Sequence, residues 1–227
     1  MKKEFSVPSI DPTDSGRFVY AEELVQPLSD QIETAVPFIP GESSYPEYFK
    51  EFVIGHLKRF KKHQLLVLPA GTKLSGDLAL DFDADWIKPK RLAGIVCEGD
   101  LTIDGDLFNR TLSFGPLLFV RGNLQVQNLI KAGAPFIVLG NVEASGIVLG
   151  EYNDGVLRVG GMLRAEAYFL FDHDGYVRLQ VEGPAFSTDE DVLRGILVDD
   201  VFENEMEDTP DADLLWMRSR ARLPILS

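Results

Sequence analysis

The sequence predicts a mainly β protein, a single short β-solenoid of about five coils flanked by N- and C-terminal helices. Three observations predict it. A unit of apolar strand, Gly, a residue that is usually Asp or Asn, and then Leu or Val occurs four times, at residues 95–101, 118–124, 136–142 and 157–163. Apolar and polar residues alternate with period two around each unit, the mark of strands with one buried face. A second short strand follows each turn, at 101–103, 124–126, 142–144 and 163–165.

Gly99, Gly122, Gly140 and Gly161 hold the same place in the four units. Each is expected at a corner whose backbone angle other residues resist. A different corner, Asn153-Asp154-Gly155, recurs 20 residues later as His173-Asp174-Gly175. Coils of roughly 20 residues with three short strands stack at about 4.8 Å and bury aliphatic ladders along the axis. A β-sandwich is the alternative, since it also has short strands and regular turns, but it does not require one Gly-Asx-Leu corner in four successive units.

The repeat divides the chain into an N-terminal arm and capping helix (1–64), the solenoid (65–183) and an acidic helical cap (184–227). Ser44 as N-cap, Pro46 in the first turn and Glu47 three residues on predict a helix over 44–62. Tyr48, Phe49, Phe52, Val53, Leu57 and Phe60 form its apolar face. A short helix is expected around 21–35. Val192, Leu193, Ile196, Leu197, Val201 and Phe202 predict another over 188–204. Open solenoid ends polymerise, so the amphipathic helices are expected to cover those ends and hold the protein as a monomer or small closed oligomer.

At 227 residues and 45% hydrophobic, the chain can bury a sizeable core. It has no apolar run near the roughly 18 residues of a membrane span, so a cytoplasmic protein that engages no membrane is expected. The single cysteine, Cys97, is expected as a buried thiol within a strand. A net charge of −14 argues against nucleic acid, whose phosphates are bound through Lys and Arg. Eleven carboxylates lie between Asp189 and Asp213, against Arg194 alone. Within them Asp189, Glu190, Asp199, Asp200, Glu203 and Glu205 are the candidate partner-binding residues, for a basic protein.

No zinc, phosphate-loop, nucleophile-elbow or dinucleotide motif occurs, so neither catalytic residues, a cofactor nor an enzymatic activity is expected. Asp172-His173-Asp174 is a cluster a metal would fit, although it also reads as a plain polar turn. Asp81, Asp83 and Asp85 alternate, which would place three carboxylates on one strand face for a hard cation or acid–base work. Such a face is more often simply solvated.

The corners Gly99-Asp-Leu101, Gly105-Asp-Leu107, Gly122-Asn-Leu124 and Gly140-Asn-Val142 resemble those of bactofilin-like, polymer-forming β-helical proteins, over a little under half the chain. That resemblance implies a β-helix that self-assembles. The long, charged, helical flanks depart from the short tails of that family. In size, acidity and lack of catalytic motifs the chain is also similar to small bacterial immunity proteins. This likeness implies a non-enzymatic protein that neutralises a cognate toxin by docking an acidic surface over its basic domain.

Overall fold

The computed structural model describes residues 8–35, 45–151, 155–171, 174–177, 180–187, 193–202 and 210–226. In it the chain is a mainly β protein built on a β-solenoid. Strand β1 (Arg17–Tyr20) and helices α1 (Ala21–Ala35) and α2 (Tyr45–Arg59) precede the coils. The first layer contains β2 (Gln64–Leu68), β3 (Thr72–Leu74) and β4 (Leu78–Ala79), and the second β5 (Leu92–Cys97), β6 (Leu101–Ile103) and β7 (Leu107–Asn109). Then come β8 (Leu117–Val120), β9 (Leu124–Val126) and β10 (Leu129–Lys131), followed by β11 (Pro135–Val138), β12 (Val142–Ala144) and β13 (Ile147–Glu151). The last two layers are β14 (Val156–Val159), β15 (Leu163–Arg164) and β16 (Ala167–Phe171), then β17 (Asp174–Val177), β18 (Val181–Glu182) and β19 (Ala185–Ser187).

Each strand pairs in parallel with its equivalent one layer away, giving three faces six strands deep. That is slightly more than the expected five coils. The first layer turns without the repeated corner, through Pro69-Ala70-Gly71.

Register places the four units in phase. Cys97 pairs with Val120, Val120 with Val138, and Val138 with Val159. The 20-residue match between Gly155 and Gly175 does not survive, because Val156 pairs with Asp174 and Leu157 with Gly175. The true offset there is 18 residues, and Gly175 falls within a strand.

The corner glycines stack on one another for a reason other than backbone angle. Left-handed φ values among the described glycines occur at Gly71, Gly76, Gly94 and Gly183, and at none of the four corners. The requirement is close approach. A Cβ on Gly122 would stand 2.3 Å from Asp100 Oδ1 and 2.6 Å from the Gly99 carbonyl carbon. Amides run along the stack, from Gly122 N–H to Gly99 O (3.0 Å), Gly140 N–H to Gly122 O (3.0 Å) and Gly161 N–H to Gly140 O (2.9 Å). The following Asx residues form a second ladder beside it. Asp100 Oδ1 accepts from Asn123 N–H (2.7 Å), Asn123 Oδ1 from Asn141 N–H (2.9 Å) and Asn141 Oδ1 from Met162 N–H (2.8 Å).

Interior ladders such as Leu66, Ile95, Leu118, Phe136 and Leu157 fill the axis. The faces differ in what they point outward. Strands of the second face (β3, β6, β9, β12, β15, β18) alternate, as in Lys73, Gln125, Glu143 and Arg164, and this face is open to water. On the first face (β2, β5, β8, β11, β14, β17), strands β5, β8 and β11 are apolar on both sides, and β14 carries Arg158 at the outward position. The outward Leu65, Val67, Val96, Phe119 and Ile137 of this face pack against Leu28 and Ile32 of α1 and Val53 and Leu57 of α2. The third face (β4, β7, β10, β13, β16, β19) points Phe108, Ile130, Leu149, Phe169 and Phe171 outward, under Leu193, Leu197, Val201, Leu215, Trp216 and Ile225.

The flanking helices therefore cover two sides of the solenoid, where they were expected to cover its ends. Strand β1 pairs antiparallel with β2 and closes the N-terminal edge of the first face. Trp86 and Ile87, between the first two layers, join the interior core, with Ile10 and Phe82 packed against it.

The expected helix over 188–204 is also corrected. Within its described part, α3 is confined to Leu193–Ile196, and Val198 is extended (φ −69°, ψ 146°). Pairing with the chain terminus draws the backbone out of the helix: Val198 N–H donates to Ile225 O (3.0 Å) and Leu197 bridges to Leu226. A 3-10 turn, Asp199–Val201, follows. Helix α4 (Ala212–Arg220), capped by Asp211 through Leu214 N–H (3.0 Å), was not expected from the sequence.

Candidate functional site

Of the six candidate partner-binding carboxylates, Asp189, Glu190, Glu203 and Glu205 lie outside the described residues. Asp199 and Asp200 open the 3-10 turn and are exposed. Asp200 pairs with Arg218 Nη1 at 2.7 Å, whereas Asp199 makes no ion pair among the described residues. Asp213 receives Arg110 Nη2 at 2.8 Å on each oxygen. Cations from outside the acidic tract, Arg110 and Arg218, therefore take part in its neutralisation, a contribution that local sequence does not reveal.

Arg218 organises this region. Its Nε donates to Pro224 O (2.6 Å), its Nη1 holds Asp200, and its carbonyl accepts from Leu223 N–H (3.1 Å). With the bridge from Leu197 to Leu226, these bonds gather Asp199 and Asp200 with Ile196, Met217, Leu223 and Leu226. All four apolar side chains are exposed, Leu223 to 48% and Met217 to 44%. Apolar groups bordered by carboxylates are suited to docking a protein surface that is itself apolar with a basic rim.

A second constellation, unforeseen in the sequence, sits at the corner between the second and third faces. Asp77, Asp106 and Asn128 succeed one another there in adjacent layers. Asp77 Oδ1 accepts from Asp106 N–H (2.8 Å), Asp106 Oδ1 from Asn128 Nδ2 (2.8 Å), and Asn128 Oδ1 from Ile147 N–H (2.9 Å). Helix α4 completes the set from outside. Asp106 Oδ2 takes Trp216 Nε1 (2.7 Å) and Arg220 Nη1 (2.8 Å), Asp77 Oδ2 takes Arg220 Nη2 (2.5 Å), and Asn128 Oδ1 also takes Ser219 Oγ (2.6 Å). Asp106 and Asn128 are fully buried, so this is a satisfied structural network. The signal available in the sequence was Gly105-Asp-Leu107, one more Asx corner, together with Trp216, Ser219 and Arg220 at spacings that share a helix face.

The three alternating aspartates are not a strand face. Residues 82–87 form turns, and Asp81 is buried, accepting from Asn109 Nδ2 (2.5 Å), Arg110 N–H (3.1 Å) and Thr111 N–H (2.9 Å). Asp83 and Asp85 remain exposed. The turn exists because Trp86 and Ile87 must reach the interior core. Of the Asp172-His173-Asp174 cluster, the first two residues lie outside the described residues and Asp174 begins β17. Among the described residues, no three His, Cys, Asp or Glu side chains group as metal ligands.

Cys97 lies in β5 with its side chain in the interior core, and burial pushes its thiol pKa up, away from the reactive thiolate. His56, 3% exposed on α2 with its ring 4.8 Å from that of Phe60, has its pKa pushed down to about 4 by burial. No described helix is long and apolar enough to cross a membrane. Comparison of the chain with protein-family models, curated proteins and solved structures finds no match.

Proposed function

We propose that this chain is a non-enzymatic protein-binding protein whose partner presents a basic surface, in the most specific form an immunity protein that neutralises a toxin's catalytic domain. The observation that carries the reading is the exposed apolar group Ile196, Met217, Leu223 and Leu226 beside Asp199 and Asp200, in a chain of net charge −14. Carboxylates at the rim speed encounter with a cationic partner, and apolar anchors supply residence time. The test is to co-express the chain with the product of its neighbouring gene and follow association from about 50 to 500 mM salt, over which the Debye length falls several-fold. A falling on-rate, and weaker binding after Asp199→Asn with Asp200→Asn, are expected. An on-rate indifferent to salt and to both substitutions overturns the reading.

The alternative is a bactofilin-like structural protein that assembles end to end. What favours it is that β17, β18 and β19 end their sheets, with no further strand on their outer side among the described residues. Against it stands β1, whose antiparallel pairing closes the opposite end of the first face to parallel stacking. Filaments seen by light scattering from the intact protein at ordinary ionic strength would decide for this second reading.

A further inference from the structure

The two flanking segments are attached to the solenoid in different ways. The N-terminal segment is tied in by main chain, since β1 hydrogen-bonds along β2 and Ala21 N–H donates to His63 O (3.0 Å). The described C-terminal segment, 193–202 with 210–226, adds no strand to any face. Its main-chain bonds close on itself, from Val198 to Ile225, from Asp211 N–H to Val201 O (2.8 Å) and across the bridge from Leu197 to Leu226. Among the described residues, its contacts with the solenoid run through side chains. These are the apolar layer over the third face, the Arg110–Asp213 pair, and the polar knot of Trp216, Ser219 and Arg220 on Asp106, Asn128 and Asp77.

The interior core, meanwhile, contains no residue from 193–226. Its ladders are complete without that segment. A cooperative unit is separable when its contacts with the remainder are few in kind and the remainder keeps its own core.

We infer that the C-terminal segment is a latched strap, which opens from the third face as a unit while the solenoid stays folded, and that the Asp77–Asp106–Asn128 corner is its latch. Opening uncovers Phe108, Ile130, Leu149, Phe169 and Phe171, a continuous apolar sheet face that the closed molecule keeps from solvent. The strap also carries Asp199, Asp200 and the exposed apolar residues beside them. The inference does not depend on whether a partner docks there, since it concerns only the order in which the chain lets go.

The chain contains two tryptophans, one in each unit: Trp86 in the solenoid core and Trp216 in the strap. Native-state hydrogen exchange of the intact, unsubstituted protein at low denaturant is the first test. Amides of 212–226 are expected to exchange through an opening that those of β8 and β11 do not share, and Arg220→Ala is expected to speed strap exchange by about 10-fold or more while leaving β8 and β11 unchanged. In the Trp86→Phe variant, where Trp216 is the sole tryptophan, its fluorescence is expected to change at lower urea than the β signal in far-UV circular dichroism. Coincident transitions, or an Arg220→Ala effect spread equally over strap and solenoid, overturn the inference. If Trp86→Phe does not fold, exchange in the unsubstituted protein decides alone.

Discussion

Gly122 and Gly55 are two glycines with opposite reasons for lacking a side chain. A Cβ on Gly122 meets the main chain of the preceding corner and the Asp100 carboxylate, neither of which yields without breaking the stacked amides, whereas a Cβ on Gly55 in the exposed part of α2 meets nothing within 4 Å. Gly122→Ala should therefore destabilise by about 2–3 kcal/mol through overpacking. Gly55→Ala should stabilise by about 0.5–1 kcal/mol, because Ala loses less backbone freedom in a helix. Paired urea titrations check both, and equal effects would show that close approach is not what keeps the corner glycine. The ladder beside it gives a third expectation. Asn141→Ala removes the acceptor of Met162 N–H and should cost about 1–2 kcal/mol, read in the same way. Positions of the corner glycines were legible in the sequence from repetition alone. Their physical cause was not, since a tight axial contact involves atoms about 20 residues away and leaves no mark on the local φ preference.

At the scale of elements, the strands carried more information than a single alternation rule extracts. Leu124-Gln-Val126 and Val142-Glu-Ala144 alternate because the second face is wet, while Leu117-Leu-Phe-Val120 and Pro135-Phe-Ile-Val138 are apolar throughout because helices lie over the first face. Strands apolar on both sides, such as β8 and β11 of the first face and β16 of the third, thus announced two covered sides, the arrangement that the expectation of end caps missed. Helix α2 was legible from its periodicity, and α1 was expected only as a short helix; the break at Val198 was not legible, because its cause, the bond to Ile225, lies 27 residues further on. Seating of α2 on the first face has a pH signature through His56. Burial, with Arg59 nearby adding to it, lowers its pKa from 6.5 to about 4 in the folded state. The unfolded chain therefore binds a proton that the folded chain refuses between about pH 6.5 and 4, and stability falls as pH falls through that window, by up to about 3 kcal/mol. Above pH 6.5 the term is constant. Urea midpoints from pH 7 to 4.5 should show a His56-dependent loss that His56→Leu flattens, and an unchanged slope in that variant would mean that other groups set the acid response.

For the whole molecule, the balance is between a large negative charge and a large covered apolar surface. Mutual repulsion at net charge −14 opposes association of copies and also opposes compaction, so the closed state rests on the apolar layers over the first and third faces. Removing the chain from residue 188 onward deletes eleven carboxylates and four arginines, and strips the third face of Leu215, Trp216 and their neighbours. Charge protection and apolar cover disappear in one step. The interior ladders remain, so the truncated chain should keep its far-UV β signal, bind a fluorescent apolar dye and associate, increasingly as salt screens the acids that are left. Association should proceed through the bared sheet face and not through the solenoid ends. A Phe169→Lys substitution on that face should therefore suppress it, whereas substituting Gln180, exposed beside the last layer, should not. Sedimentation velocity of the three truncated proteins distinguishes the outcomes: a monodisperse parent, or association blind to Phe169→Lys, would show that the strap protects something other than the third face.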